Sequence, residues 1–262
     1  MILAFVLAQL SATADGRSRP AGRRGGAAPA HAAVSTQAPD GETILRRVDE
    51  NMGSDNKITT SLMTVHGRRG SRSIRAKSWV RGRTASFTEY LDPPREKGTK
   101  MLKLGDQLWT YTPAADRTIL ISGSMLRQSV MGSDLSYEDM MEDPRLSNLY
   151  AATVAGEEEV GGRPCWVLDL VSKGGDIAYY RRKVWADKER DVALREERYA
   201  KSGKLLKTTE VTAVERQGGR WVPTHIVFKD ALKESGGTEF VIETIEFNAK
   251  IPDSLFTKAS LR

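Results

Sequence analysis

The sequence predicts a mainly β protein with a few helices: one large curved antiparallel sheet, or open β-barrel, lidded by helices. Three observations carry this. From Lys57 onward, short segments rich in Thr, Val, Ile and aromatic residues recur at 8–14-residue spacing between turn signals. That rhythm breaks once, where Met125, Met131, Met140 and Met141, four of the eight methionines, crowd into two stretches of helical spacing. Several strands also carry apolar groups on both faces. In 239–247, Phe240 and Ile242 point one way while Val241, Ile245 and Phe247 point the other, so something covers part of each face.

The elements follow in order. Met1–Ala8 is an apolar run of signal-peptide type, with small-x-small cleavage patterns at Ala12-Thr13-Ala14 and Ala28-Pro29-Ala30. Residues 15–39 are Gly-, Ala-, Arg-, Pro- and Ser-rich without apolar periodicity, a flexible linker or leftover signal region. Residues 1–39 are thus read as signal peptide and linker, and 40–262 as a single domain. Asp40 offers an N-cap to a helix over 41–52, with Ile44, Leu45, Val48 and Met52 on one face and Gly53 at C′. Strands are predicted at 57–66, 72–81, 84–91, 98–104, 107–113 and 117–121. After Asp143-Pro144 they resume near 147–158, 164–172, 178–187, 191–200, 204–216, 220–230 and 237–248. Glycine-containing hairpin signals such as Gly161-Gly162 and Gln217-Gly218-Gly219 separate them. The last turn, Ile251–Phe256, has apolar side chains that can tuck under the sheet.

Within the lid, Ser124 caps a helix in which Met125, Leu126 and Val130 share an apolar side, with Met131 beside them and Gly132 ending it. Ser136 and Asp139 then form a capping box opening a second helix, whose apolar face is Tyr137, Met140 and Met141. Methionine is flexible and polarizable and lines surfaces that fit irregular apolar partners. Two readings stand: both faces pack as core, or together with Trp109 and Tyr111 they line a ligand cavity.

Composition bounds the partners. Apolar residues make up 39% and charged residues 28%, as in a soluble globular protein. Of the formal charge of +6, residues 1–33 contribute +3 through four arginines against Asp15. The body's 36 cationic and 33 anionic side chains alternate along the strands, which leaves no nucleic-acid footprint. The single Cys165 excludes an internal disulfide and, beside Trp166-Val167-Leu168, reads as a buried inert thiol. Beyond the N-terminal run, no segment approaches the ~20 apolar residues a membrane-crossing helix needs. His31, His66 and His225 have no partner at metal-ligand spacing, and His225 reads as a hydrogen-bonding sheet-surface residue. The Glu157-Glu158-Glu159 run reads as a solvated strand end. No G-x-S-x-G elbow, H-E-x-x-H pair or Walker loop occurs, so no catalytic residue, metal or cofactor is expected.

Several strings resemble the outer-membrane lipoprotein-sorting protein family, the LolA-like group of bacterial envelope proteins. They are Arg95, Lys97-Gly98-Thr99, Leu108-Trp109, Tyr111-Thr112-Pro113 and, above all, Met131-Gly132-Ser133-Asp134-Leu135-Ser136-Tyr137-Glu138-Asp139. The resemblance spans roughly 41–262 and places the chain in a divergent branch, because the family's best-understood carrier lacks the Gly-Ser-Asp string. It implies a LolA/LolB-like open barrel whose hydrophobic cavity takes acyl chains of lipoproteins or other lipids. It also implies a soluble periplasmic carrier, with an inner-membrane transporter as donor and an outer-membrane acceptor. That carrier latches its lid with a strand arginine; here Arg95 and Arg75 are the candidates, acting with Ser133 and Asp134 at the break between the lid helices. Asp134 also reads as a plain helix N-cap. A second functional reading is a lipid- or lipoprotein-sensing module that acts through a membrane partner.

Overall fold

The structure, a computed structural model, describes residues 39–262 except Met52, Asp176 and Ser235. The predicted signal peptide and linker, Pro39 apart, and the last residue of the predicted helical face lie outside the described residues.

Helix α1 (Gly41–Asn51) starts where Asp40 accepts the Thr43 amide at 2.9 Å and the Thr43 hydroxyl at 2.8 Å. It buries Ile44, Leu45 and Val48. Gly41 is needed for close approach, since a Cβ there would lie 2.7 Å from the Ala152 carbonyl oxygen.

The first half of the sheet holds β1 (Asn56–Gly67), β2 (Gly70–Arg81), β3 (Ala85–Asp92), β4 (Lys100–Leu104), β5 (Gln107–Thr112) and β6 (Arg117–Ile121). The second holds β7 (Tyr150–Val160), β8 (Arg163–Ser172), β9 (Arg181–Asp187), β10 (Ala193–Tyr199), β11 (Leu205–Gln217), β12 (Arg220–Asp230) and β13 (Gly237–Phe247). Every predicted strand is present, with ends shifted by at most three residues. All pair antiparallel in one open 13-stranded sheet, ordered β6-β5-β4-β3-β2-β1-β13-β12-β11-β10-β9-β8-β7. The β1–β13 ladder joins the halves, and β6 and β7 are the two edges. Residues 122–149, which connect those edges, pack across the same face as α1, here the inner face. They contain helices α2 (Tyr137–Met141) and α3 (Leu146–Leu149).

The reading of β13 from its alternation needs correction. Thr60 pairs with Thr244 and Ser61 with Ile242, so Glu243 is an extra residue without a partner. Such a bulge inverts the alternation beyond it. Ile245 and Phe247 therefore join Phe240 and Ile242 against the inner-face core, and of those five residues only Val241 faces out.

The outer face has its own cover elsewhere. Phe87, Leu102 and Trp109 pack beneath Phe256 and Leu261 of two C-terminal 3-10 turns, Asp253–Phe256 and Lys258–Leu261. This is the tuck expected of the last turn. A second outer cluster gathers Cys165, Val167, Trp185, Val192 and Leu194. Burial pushes the Cys165 thiol up to about 11, which keeps it inert at neutral pH.

Candidate functional site: a lidded cavity on the inner face

Antiparallel register stacks inner-face side chains in rows across the strands. One row runs Phe240, Met63, Ile74, and the next runs Ile242, Ser61, Ala76, Tyr90. A third runs Ile245, Thr59, Ser78, Thr88. Val130, Leu135 and Met140 of the 122–149 segment close over these rows and leave a cavity of about 90 Å³. Ligand pockets typically span ~300–1,000 Å³, so this cavity is smaller than most of them.

The lid is built differently from its sequence reading. The first predicted helix is two 3-10 turns, Gly123–Arg127 and Val130–Gly132. The first follows Ser122, whose side chain makes no capping bond, so Ser124 is not the cap. Positive φ at Gly123 (55°), Met131 (49°) and Gly132 (68°) interrupts α-helical continuation. A Cβ on Gly132 would also fall 2.8 Å from the Arg72 guanidinium, which donates to the Met131 carbonyl. The positive φ favours glycine there, and a Cβ would in addition displace the end of the Arg72 side chain.

The predicted lining residues divide. Val130 and Met140 face the cavity. Met125, Leu126, Met131, Tyr137 and Met141 pack beside it against the cluster of Ile74, Leu108 and Ile121. Trp109 and Tyr111 are corrections, because strand alternation puts Leu108 inside and these two outside. Trp109 lies under Lys258, whose ammonium is 4.3 Å from the ring centroid, and the Tyr111 hydroxyl donates to Asp116 at 3.1 Å.

Asp134, 1% exposed, caps no helix. Its amide donates to the Thr238 hydroxyl at 2.9 Å, and that hydroxyl donates back to the carboxylate at 2.7 Å. The Asp230 amide donates to the same carboxylate at 3.1 Å. Ser133 accepts the Leu135 amide at 3.2 Å, while Lys233 donates to the Ser129 hydroxyl and the Ser133 carbonyl, both at 2.6 Å. The Gly-Ser-Asp string therefore ties the lid to the β12–β13 end. Neither candidate arginine takes part. Arg95 is 89% exposed beside Glu96 in the turn after β3, and Arg75 pairs with Glu243 at 2.8 Å.

A buried ionic cluster that sequence reading missed holds α2. The capping box is present, with the Ser136 amide donating to Asp139 at 2.7 Å and the Asp139 amide to Ser136 at 3.3 Å. Asp139 also accepts the Tyr179 hydroxyl at 2.6 Å, Arg198 at 3.0 Å, and Lys207. Arg198 bonds Glu196 at 3.2 Å, Glu196 accepts Arg182 at 2.5 Å, and Arg182 reaches Glu142. Three cations thus balance three anions in a site where Arg182, Glu196 and Arg198 are at most 2% exposed. Burial alone would raise the Asp139 carboxyl, but the charges of Arg198 and Lys207 and the hydrogen bonds outweigh it and hold it well below the usual carboxylate range. Lys103 of β4 adds a tie, donating to the Met140 and Met141 carbonyls at 3.3 and 3.1 Å. Burial brings its ammonium down to about 8. The available signal was charge at core parity: Arg182 alternates with Val184 and Ala186 on the buried side of β9.

Among the described residues, no group of three or more His, Cys, Asp or Glu is arranged to hold a metal. His66 and His225 flank Glu239 at 3.1 and 3.4 Å.

An open antiparallel sheet with one face lidded over an apolar cavity defines a LolA-like fold. Residues 82–262 match the model of a family described as "-like: Uncharacterized protein", and the chain belongs to that family. A DUF1329 family protein from Desulfovibrio piger superposes with a TM-score of 0.78 at 25% identity, over 84% of this chain and 97% of that one. A domain described as an outer-membrane lipoprotein-sorting protein from Vibrio parahaemolyticus gives 0.71 at 22%, over 84% and 97%. A LolA superfamily protein from Nitrosomonas europaea gives 0.71 at 22%, over 85% and 100%. No curated protein matches the sequence. The chain therefore has the fold of LolA superfamily and lipoprotein-sorting domains.

Proposed function

We propose that this protein is a soluble periplasmic carrier. It binds acyl chains of lipoproteins or other lipids beneath the 122–149 lid and moves them from an inner-membrane transporter to an outer-membrane acceptor. One observation carries the reading: an apolar cavity sits between a sheet face and a segment fixed by polar ties at both ends of its 129–142 stretch. Burying a methylene gains about 0.8 kcal/mol, so a 16-carbon chain gains on the order of 10 kcal/mol before ordering costs. A cavity of about 90 Å³ admits such a chain only when the lid moves. The polar ties at Asp134 and Asp139 then set the work of opening, while the flexible methionines beside them repack around the guest.

The test is purification of the mature chain from a bacterial host, followed by mass spectrometry of co-purified lipid and titration with a fluorescent fatty acid. Stoichiometric acyl lipid, lost in Met140→Asp, supports the carrier. An empty protein that also ignores the probe sinks it and favours the sensing module.

A further inference from the structure

The cavity has two unlike walls. Met63, Ile74, Phe240 and Ile242 are hydrocarbon, but three adjacent strands present hydroxyls: Thr59 and Ser61 on β1, Ser78 on β2, Ser86 and Thr88 on β3. Register aligns Thr59, Ser78 and Thr88 in one row across the sheet. Ser78 and Thr88 bond each other at 2.9 Å. Thr59 and Ser61, only 4% and 5% exposed, line the cavity, and neither hydroxyl has a protein partner among the described residues.

A plain hydrocarbon chain seated on that wall would strip water from these hydroxyls and return no hydrogen bond, which opposes binding. A site with buried hydrogen-bonding groups discriminates against ligands that cannot pair them. We infer that the cavity selects lipids whose buried part carries an oxygen function, a chain hydroxyl or an ester carbonyl, seated against Thr59 and Ser61. This rests on the carrier reading and names the ligand class of the same site. A hydroxyacyl chain and an acylglycerol share the required chemistry.

The test uses three ligands built on one 16-carbon chain: palmitic acid, 3-hydroxypalmitic acid and monopalmitoylglycerol. Each displaces a fluorescent fatty acid from the mature chain and from Thr59→Val, Ser61→Ala and Thr59→Ser variants whose folding is verified by thermal melts. The expected result is that 3-hydroxypalmitic acid or monopalmitoylglycerol binds about tenfold tighter than palmitic acid, whose only oxygens are those of its ionised head group, and which one does so distinguishes the two sources. The advantage disappears in Thr59→Val and Ser61→Ala, palmitic acid itself binds those variants more tightly, and Thr59→Ser restores the preference. Equal affinity for all three ligands, or an advantage that survives both hydroxyl removals, overturns the inference while leaving the carrier intact. If no ligand and no fluorescent probe binds, the carrier reading falls and takes this inference with it.

Discussion

Asp134 and Thr238, 104 residues apart, share one hydroxyl in both directions: the Thr238 Oγ1 accepts the Asp134 amide and donates to the Asp134 carboxylate. A two-residue lock of this kind fixes both backbone and side chain of the lid against the start of β13. Because both residues are buried, neither can exchange its partner for water without the lid lifting.

Removing either half of the lock leaves buried polar groups unpaired. Asp134→Ala and Thr238→Val are each expected to cost about 1.5–3 kcal/mol, the range for hydrogen bonds to charged groups. The double variant should cost less than the sum, since the residues share one bond network. Thermal unfolding reads the loss, and hydrogen exchange of amides 129–136 should accelerate. Unchanged melting and exchange would exclude the latch.

At the far end of the lid, Asp139→Asn leaves Arg198 and Lys207 beside a neutral group. Breaking a buried charge pairing from one side costs about 3–5 kcal/mol, and urea titration should show it. Tyr179→Phe removes one hydroxyl donor to that carboxylate and should cost about 1.5–3 kcal/mol. A Tyr179→Phe loss as large as that of Asp139→Asn would shift the anchor from charge to the phenol.

The pH response should carry two signatures. Lys57 of β1 is fully buried, and desolvation lowers its ammonium from 10.5 to about 7; Lys103 falls from 10.5 to about 8. Between those values the unfolded chain binds more protons than the folded one, so stability rises with pH from about 7 upward. Lys57→Met should flatten that rise in melts from pH 6 to 10. Asp139 acts with the same sign at the acid end: its folded carboxyl lies below the unfolded 3.8, so its contribution is complete above that pH and declines only in stronger acid. Asp139→Asn should therefore lose part of the acid-side dependence.

The C-terminal tuck gives a separate handle. Phe256→Ala opens a gap over Phe87, Leu102 and Trp109 and should cost about 3–5 kcal/mol. Tryptophan emission should shift to the red as Trp109 gains water. No shift would mean that Lys258 and Leu261 cover the ring alone.

The strands and the helix after Asp40 are legible in the sequence because turn glycines and two-residue alternation are local signals. The β13 bulge is not, since its extra residue is defined only against β1. Trp109 and Tyr111 went astray for a related reason: alternation shows that they share a face with each other, but not which face is lidded. The lid's 3-10 turns escape notice because apolar spacing over so few residues fits either helix type, and only the positive φ at Met131 and Gly132 decides. The Gly-Ser-Asp string announces a special site, yet its partners Thr238 and Asp230 are a hundred residues away. The ionic cluster is likewise assembled from distant parts of the chain: Asp139 and Glu142 of the lid, Arg182 of β9, Glu196 and Arg198 of β10 and Lys207 of β11.

The order of the sheet has a mechanical consequence. The lid joins β6 to β7, and those strands are the two outermost rims of a single sheet, so the lid is fastened like a string across a bow. It cannot swing outward as a free tail does. Both ends of the lid are carried by strands, so a shift of either rim takes one end of the lid with it.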